Sequence, residues 1–566
     1  MKSLQKYIFL IFCTMALLLL AVFAAEREDA ESPYFCIQNE YGRQNISIYD
    51  ARDGNYYVFL PSYAKMEQVQ VILPPIREYF LDDVALSNQM TCDAFELERP
   101  YKFTADGEKL ATLWFYQSRN IATMYLDTVS GKMTDIHNDK SHEEYASLTV
   151  YAPDGRIDHY DDSSRLKGRG NYTWLCDKRP YLLTLSSDSD LLGMGAAKKW
   201  VLLANAYDET NLNNKVVYDL AGQIEFGWSP DCQFVDLYLN GEYRGLYLLA
   251  EKIEVHDNRL NLDADSGEFL CRIDLWERWD QLQNPFESSM GRAVEISYPE
   301  VLPDADFDYV TYLVYLLEQD FQSGTDLRNS AILDLDSWVR RYLMDEISGN
   351  IDADLASSYF YYSGGKFFAG PVWDYDIAFG NSLRNQNPRS FLAKNEHKAA
   401  WYSSPYYSAL YANASFFNRM VEIYRTEFVP VLQKLIHHDL DAQIDMIRNA
   451  SQMNSIRWRS MYNELTGATP GTVRFPDDLK EYLIDRIRFL DSAWLENVDY
   501  CTVQFMPPTG LLYWNISVEK GTCLDTQYMD LENTVWIDQK TGLPVDFRCP
   551  LTAATPACIP RSSREM

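Results

Sequence analysis

The stretch GPVWDYDIAFGN, residues 370–381, sets the hardest condition on any fold of this chain. Asp374 and Asp376 stand one residue apart in a run whose other members, Trp373, Tyr375, Ile377 and Phe379, suit a core. An ionised carboxylate removed from water is expensive unless a cation or hydrogen-bond donors satisfy it. The fold must therefore bring a basic side chain or a metal ion to this segment. On an extended backbone alternate side chains share a face, so both carboxylates can address one ion. Mg2+ and Mn2+ favour such oxygen ligands and keep waters and substrate phosphates as further partners.

A chain of 566 residues is too long for one core, so two or three units are expected. The content is 47% hydrophobic and 14% aromatic, enough to fill them. Acidic residues outnumber basic ones 82 to 51, for a net charge of −31. Such a surface repels phosphate backbones and argues against nucleic-acid binding. The N-terminus carries lysines in MKSLQK, then an uncharged apolar run with small residues at Ala24 and Ala25. That pattern reads as export and fits a cleaved signal peptide and a retained signal anchor alike. The protein is thus expected to be secreted, or held at the membrane by residues 7–25. Of ten cysteines, nine follow the export segment, an odd number in a disulfide-permissive setting. No CxxC pair is present and histidines number only seven, so a zinc or imidazole-centred site is not expected.

Residues 26–33 read as a charged linker. From 34 to 144 short alternating runs broken by Gly, Pro and Asp predict a small β-rich domain. From 145 the order is strand, glycine turn in LKGRGNYTW, strand in KRPYLLTL and helix in ETNLNNKVVYDLAGQI. A hairpin around Asn240-Gly241 follows. Beyond 300 helical spacing dominates, clearest in DLDSWVRRYLMDEISGN, with Asp334 or Asp336 as N-cap and Gly349 at the C-terminus. A loop with aspartates, IDADLASS, precedes two short strands around Ser363-Gly364-Gly365 and then the aspartate pair. Residues 499–566 are turn-rich and hold Cys501, Cys523, Cys549 and Cys558.

Glycine turn, lysine-opened strand, helix, aspartate loop and metal-type aspartate follow one another in the order used for phosphoryl transfer. None of the strings HRD, DFG or GxGxxG occurs. Five separated stretches nevertheless resemble the CotH family of atypical, spore-coat-type protein kinases, over about 145–498. They are LKGRGNYTW, KRPYLLTL, LLGMGAAKKWVLLANAYDETNLNNKVVYDLA, NGEYRGLYLLAEKIEV and GPVWDYDIAFGN. The resemblance implies an α+β, diverged kinase-like two-lobed fold, divided near 256, with the β-rich domain before it and the cysteine-containing region 499–566 after it. It further implies binding of ATP with Mg2+ or Mn2+, and phosphorylation of serine or threonine on exported or surface proteins.

Carried over residue by residue, the resemblance makes Lys178 the phosphate-facing lysine, with Arg179 as its rival. Arg169 and Asn171 fall in the GRGN motif and either contact phosphate or fix the turn. Asp352 matches the catalytic-loop aspartate, with Asp354 as competitor. Where a conventional kinase has a metal-binding asparagine, this chain has Ser357 or Ser358, which leaves room for a weak or inactive kinase. Asp374 and Asp376 match the metal site. Glu251, with Glu254, lies near an adenine hinge, and Asn214 and Lys215 lie in the supporting helix. Sequons occur at Asn45, Asn171, Asn413, Asn449 and Asn515. Two other readings remain: a catalytically degenerate kinase-like surface or coat protein acting in binding or adhesion, and a metal-dependent hydrolase or glycan-active enzyme using the paired carboxylates.

Overall fold

In the computed structural model, residues 32–505 are described except 40–41, 76, 225, 383–386, 394–403, 467–474 and 496–499; beyond 505 mainly strands are described. The apolar run 7–25 lies outside the described residues. Among them no helix is long and apolar enough to cross a membrane.

The alternating runs after residue 33 form a three-stranded and a six-stranded sheet around a core that includes Phe35, Phe59 and Phe115. This β-rich unit is shorter than the sequence suggests. Ala122–Thr128, expected to belong to it, is instead a stave of a closed seven-stranded barrel. The other staves are Glu143–Tyr151, Ile157–Gly168, Tyr181–Asp190, Ala196–Leu203, Cys232–Leu239 and Glu242–Glu251. Closure is made by the parallel pairing of Ala122–Thr128 with Cys232–Leu239. Met124, Leu183, Trp200 and Tyr247 are among the residues filling the interior. The expected Asn240-Gly241 hairpin is present, both residues having positive φ, as its tight turn requires.

A clamp helix, Asn213–Gln223, precedes the hairpin. After the barrel comes a five-stranded sheet whose central strand, Phe269–Asp274, lies between Ala293–Tyr298 and Ser358–Ser363. The loop helix, Leu335–Ser348, begins with Asp334 accepting the Ser337 amide at 2.9 Å and ends at Gly349 in the left-handed region, as its sequence signals require. The long helix, Leu440–Thr466, returns to the barrel and lies along Glu242–Glu251.

That docking rests on Gly245. Its φ is +108°, and a Cβ there would lie 2.5 Å from Asn454 Oδ1 and 2.9 Å from Trp458 Nε1. The close approach lets the Leu246 amide donate to Asn454 Oδ1 at 3.2 Å, and Trp458 Nε1 donate to the Arg244 carbonyl at 2.9 Å. Any L side chain at 245 is both strained and crowded. Gly245→Ala is expected to destabilise the protein by about 2 kcal/mol or more. A lowered thermal midpoint, with faster proteolysis within the long helix, is the readout.

Candidate functional site

A cleft of about 790 Å³ opens beside the glycine turn. Arg169 and Asn171 line it from the barrel side, Asp352 and Ser357 from the loop after the loop helix, and Asp374 and Asp376 from the segment 370–381. Five of the seven expected site residues therefore meet in one place.

The aspartate segment is not a strand. Asp374 has φ +68°, so a turn, rather than strand alternation, brings the two carboxylates to the same cleft. Every part of the turn is pinned. Arg341 Nη1 donates to the Pro371 carbonyl at 3.0 Å. The Tyr375 amide donates to Asn214 Oδ1 at 2.8 Å, and its hydroxyl to Asp345 Oδ1 at 2.6 Å. The Asp376 carbonyl accepts from Asn213 Nδ2 at 3.0 Å and from Asn381 Nδ2 at 2.8 Å. Ser357 Oγ donates to Asp374 Oδ2 at 2.9 Å. The serine found where a conventional kinase keeps an asparagine thus orients the Asp374 carboxylate directly.

Charge is unevenly matched here. Among the described residues neither Asp374 nor Asp376 is ion-paired with a basic side chain. Burial, reinforced by Asp374, Asp352 and Asp208, holds the Asp376 carboxyl well above the usual carboxylate range. Arg169, whose guanidinium lies over the Trp373 ring at 5.5 Å, is a cation whose charge acts on both aspartates. Burial pulls Arg169 down and the charges of Asp374 and Asp376 oppose that pull. Among the described residues no three carboxylate, histidine or cysteine side chains form a ready-made cation cage. A Mg2+-type ion needs only one or two carboxylates when phosphates complete its shell.

Asp352 and Asp354 separate cleanly. Asp354 is buried and occupied: Arg292 Nη2 at 2.6 Å, Ser404 Oγ at 2.9 Å and the Tyr406 amide at 2.9 Å all donate to it. It fastens the start of a helix, whereas Asp352 lines the cleft.

Two expected residues are elsewhere. Lys178 is fully buried in the barrel, where Nζ donates to the Leu246 carbonyl at 2.6 Å and lies 4.9 Å from the Tyr247 ring centre. Burial pushes it well below the usual ammonium range. Its rival Arg179 donates to the His137 carbonyl and covers the Trp174 ring. Glu251 is buried against Arg259 at 3.4 Å and accepts the Asp231 amide at 2.9 Å, while Arg259 also holds Glu254. Lys178 and Glu251 therefore stand outside the cleft lining. Lys215 pairs with Asp219 at 2.6 Å rather than with any cleft residue.

Sequence reasoning missed Asn213, Asp208, Arg272 and Arg278. Asp208 Oδ2 accepts the Asn213 amide at 2.9 Å and seats the clamp helix. Burial pushes its carboxyl up to about 6. Arg272 and Arg278 line the cleft from the central strand and the turn after it. The DETNLNN string held the signal for the first two; nothing in the sequence pointed to the two arginines.

Asp376 gives a pH-dependent test. Its pKa is raised in the folded protein, so its contribution to stability is complete below the unfolded value of about 4 and is lost as pH climbs through the raised value. Asp376→Asn should flatten that decline, stabilise the metal-free protein relative to wild type at pH 7–8, and abolish any Mn2+-induced rise in thermal midpoint. Denaturation across pH 4–8, with and without Mn2+, measures all three.

The family model described as CotH kinase protein matches residues 166–490, more than half of the chain. No curated protein matches it.

Proposed function

Because this chain belongs to the CotH kinase family, we propose that it is a metal-dependent atypical protein kinase that moves the γ-phosphoryl of ATP to serine or threonine hydroxyls of exported or surface proteins. The family implies a kinase-type transferase that uses ATP and a divalent metal. The single observation that carries the finer reading is the pair Asp374 and Asp376: held in one cleft, in no ion pair with a basic side chain among the described residues, with Arg169, Arg272 and Arg278 lining the same cleft.

The donor set fits a divalent ion of the Mg2+ class, because both ligands are carboxylates and a buried one is held in a protonation-prone state until a cation joins it. Bound there, the metal nucleotide would supply the electrophilic phosphorus and the counter-charge for its oxygens. Asp374 and Asp376 would hold the ion, with Ser357 Oγ donating to Asp374 Oδ2 and fixing its orientation. Arg169 takes the part that the sequence assigned to Lys178, offering a fork of donors to phosphate oxygens. Asn171 borders the same space. Asp352 would orient the acceptor hydroxyl and take its proton as its oxygen bonds to the γ-phosphorus and the bond from that phosphorus to the bridging oxygen breaks, releasing ADP. The cleft is lined by the turn after the barrel stave Ile157–Gly168 and by Arg272 of the five-stranded sheet's central strand.

Transfer of label from ATP with Mg2+ or Mn2+ to a generic acceptor tests the reading. Asp374→Ala and Asp352→Asn should each lower incorporation by about 10²–10⁴-fold, the second while keeping nucleotide affinity. Arg169→Met should weaken nucleotide binding by about tenfold or more, and more than Lys178→Met does in folded protein. Wild-type binding without transfer would instead support a degenerate kinase-like binding protein, and absence of binding would remove both.

A further inference from the structure

The turn that carries Arg169 and Asn171 is fastened across the cleft by two cation–aromatic contacts, Arg169 over Trp373 and Arg278 over Tyr172. Resting on the kinase reading above, we infer that residues 169–175 form a strap latched by Tyr172 on Arg278, and that Tyr172 and Arg278 are positioning residues for phosphoryl transfer.

The strap has a defined shape. Gly170 has φ +83°, and a Cβ there would meet Thr173 Oγ1 at 2.5 Å and Pro180 at 3.1 Å, so the chain can turn only with glycine at this point. Three bonds hold its backbone to the barrel side: the Arg169 amide to the Pro180 carbonyl at 3.2 Å, Lys140 Nζ to the Gly170 carbonyl at 2.8 Å, and Tyr207 hydroxyl to the Tyr172 carbonyl at 3.5 Å. Across the cleft, the Arg278 guanidinium lies over the Tyr172 ring at 5.3 Å. Tyr172 is 56% exposed, so core packing does not explain where its ring sits.

Arg278 is a fixed post rather than a wandering surface cation. Its Nη1 donates to Asp274 Oδ1 at 2.8 Å, and the Asp274 side chain is 1% exposed. Asp274 also accepts the Leu275 amide at 2.8 Å and pairs with Arg272 at 3.3 Å. Arg272 is tied in turn to Glu295 at 2.7 Å. The latch therefore joins an exposed ring on the strap to the rigid central strand of the sheet. Closed, the latch keeps Arg169 beside Asp374 and Asp376; opened, it leaves the strap its barrel-side bonds and the Arg169–Trp373 contact, and frees the Tyr172 end of the cleft mouth for nucleotide exchange. A cation over a tyrosine face is strong enough to favour closure and weak enough to release.

Four variants decide this: Tyr172→Ala, Tyr172→Phe, Arg278→Met and the double variant Tyr172→Ala/Arg278→Met. Tyr172→Ala and Arg278→Met should each raise KM for ATP and speed nucleotide release by about three- to tenfold, with the double variant no worse than either alone. Tyr172→Phe keeps the ring face and should behave as wild type. Amide hydrogen exchange over 169–175 in nucleotide-free protein is the independent reading. Protection there should fall in Tyr172→Ala and Arg278→Met and persist in Tyr172→Phe. Unchanged exchange in Tyr172→Ala overturns the strap whatever the nucleotide data show. Wild-type protein that binds no nucleotide, but loses strap protection in Tyr172→Ala, overturns the kinase reading and leaves the latch standing.

Discussion

The structure depends on holding two acidic side chains still at the edge of a core. A carboxylate in this position is stable only if its surroundings are fixed, because movement would either expose apolar neighbours or strand the charge. The segment Pro371–Asp376 is accordingly bonded through its backbone on both sides and through the Tyr375 hydroxyl below. The partners come from three places far apart in sequence: Asn213 and Asn214 on the clamp helix, Arg341 and Asp345 on the loop helix, and Ser357 on the loop between. Asp345 is itself fully occupied, accepting from Arg341 at 2.8 Å, Asn350 at 3.1 Å and the Tyr375 and Tyr407 hydroxyls. The carboxylates facing the cleft are left under-neutralised while those behind them are saturated. That contrast is what separates a site from a structural ion-pair network.

The same contrast explains what the sequence could and could not disclose. Local signals were legible: the caps of the loop helix, the Asn240-Gly241 hairpin and the strands around Gly364-Gly365 all depend on residues within a few positions of each other. The aspartate pair was legible because charge within an apolar run is anomalous wherever it falls. The choice between Asp352 and Asp354 was not legible. It is made by Arg292, Ser404 and Tyr406, which the chain brings to Asp354 from both directions. Nor could the limits of the β-rich unit be read, since Ala122–Thr128 alternates like its neighbours and joins the barrel only through its parallel pairing with Cys232–Leu239.

Lys178 shows how motif order can mislead. A lysine opening a strand after a glycine turn suggests a phosphate ligand, yet inside and outside are assigned by barrel closure, which sequence order does not encode. Here Lys178 lies inside, between the Leu246 carbonyl and the Tyr247 ring. Burial drives Lys178 toward neutrality against the charges of Asp208 and, after it, Asp236, whose own carboxyls burial pushes up to about 6 and about 7. Lys178 thus sits in the barrel core and outside the cleft lining.

With Lys178 accounted for by the barrel, the cleft needs its cation from the neighbouring turn, and Arg169 is the side chain whose charge acts on both aspartates. A guanidinium suits the position better than an ammonium would. It stays charged under burial that pushes Lys178 well down, and it can lie flat on Trp373 while presenting donors at its edge. Trp373 is in turn stacked on Tyr218 of the clamp helix at 5.9 Å. The helix that pins the aspartate turn through Asn213 and Asn214 therefore also supports the surface on which the arginine rests. Cation and carboxylates are referenced to one rigid element, so their separation is set by the clamp helix and not by the exposed turn alone.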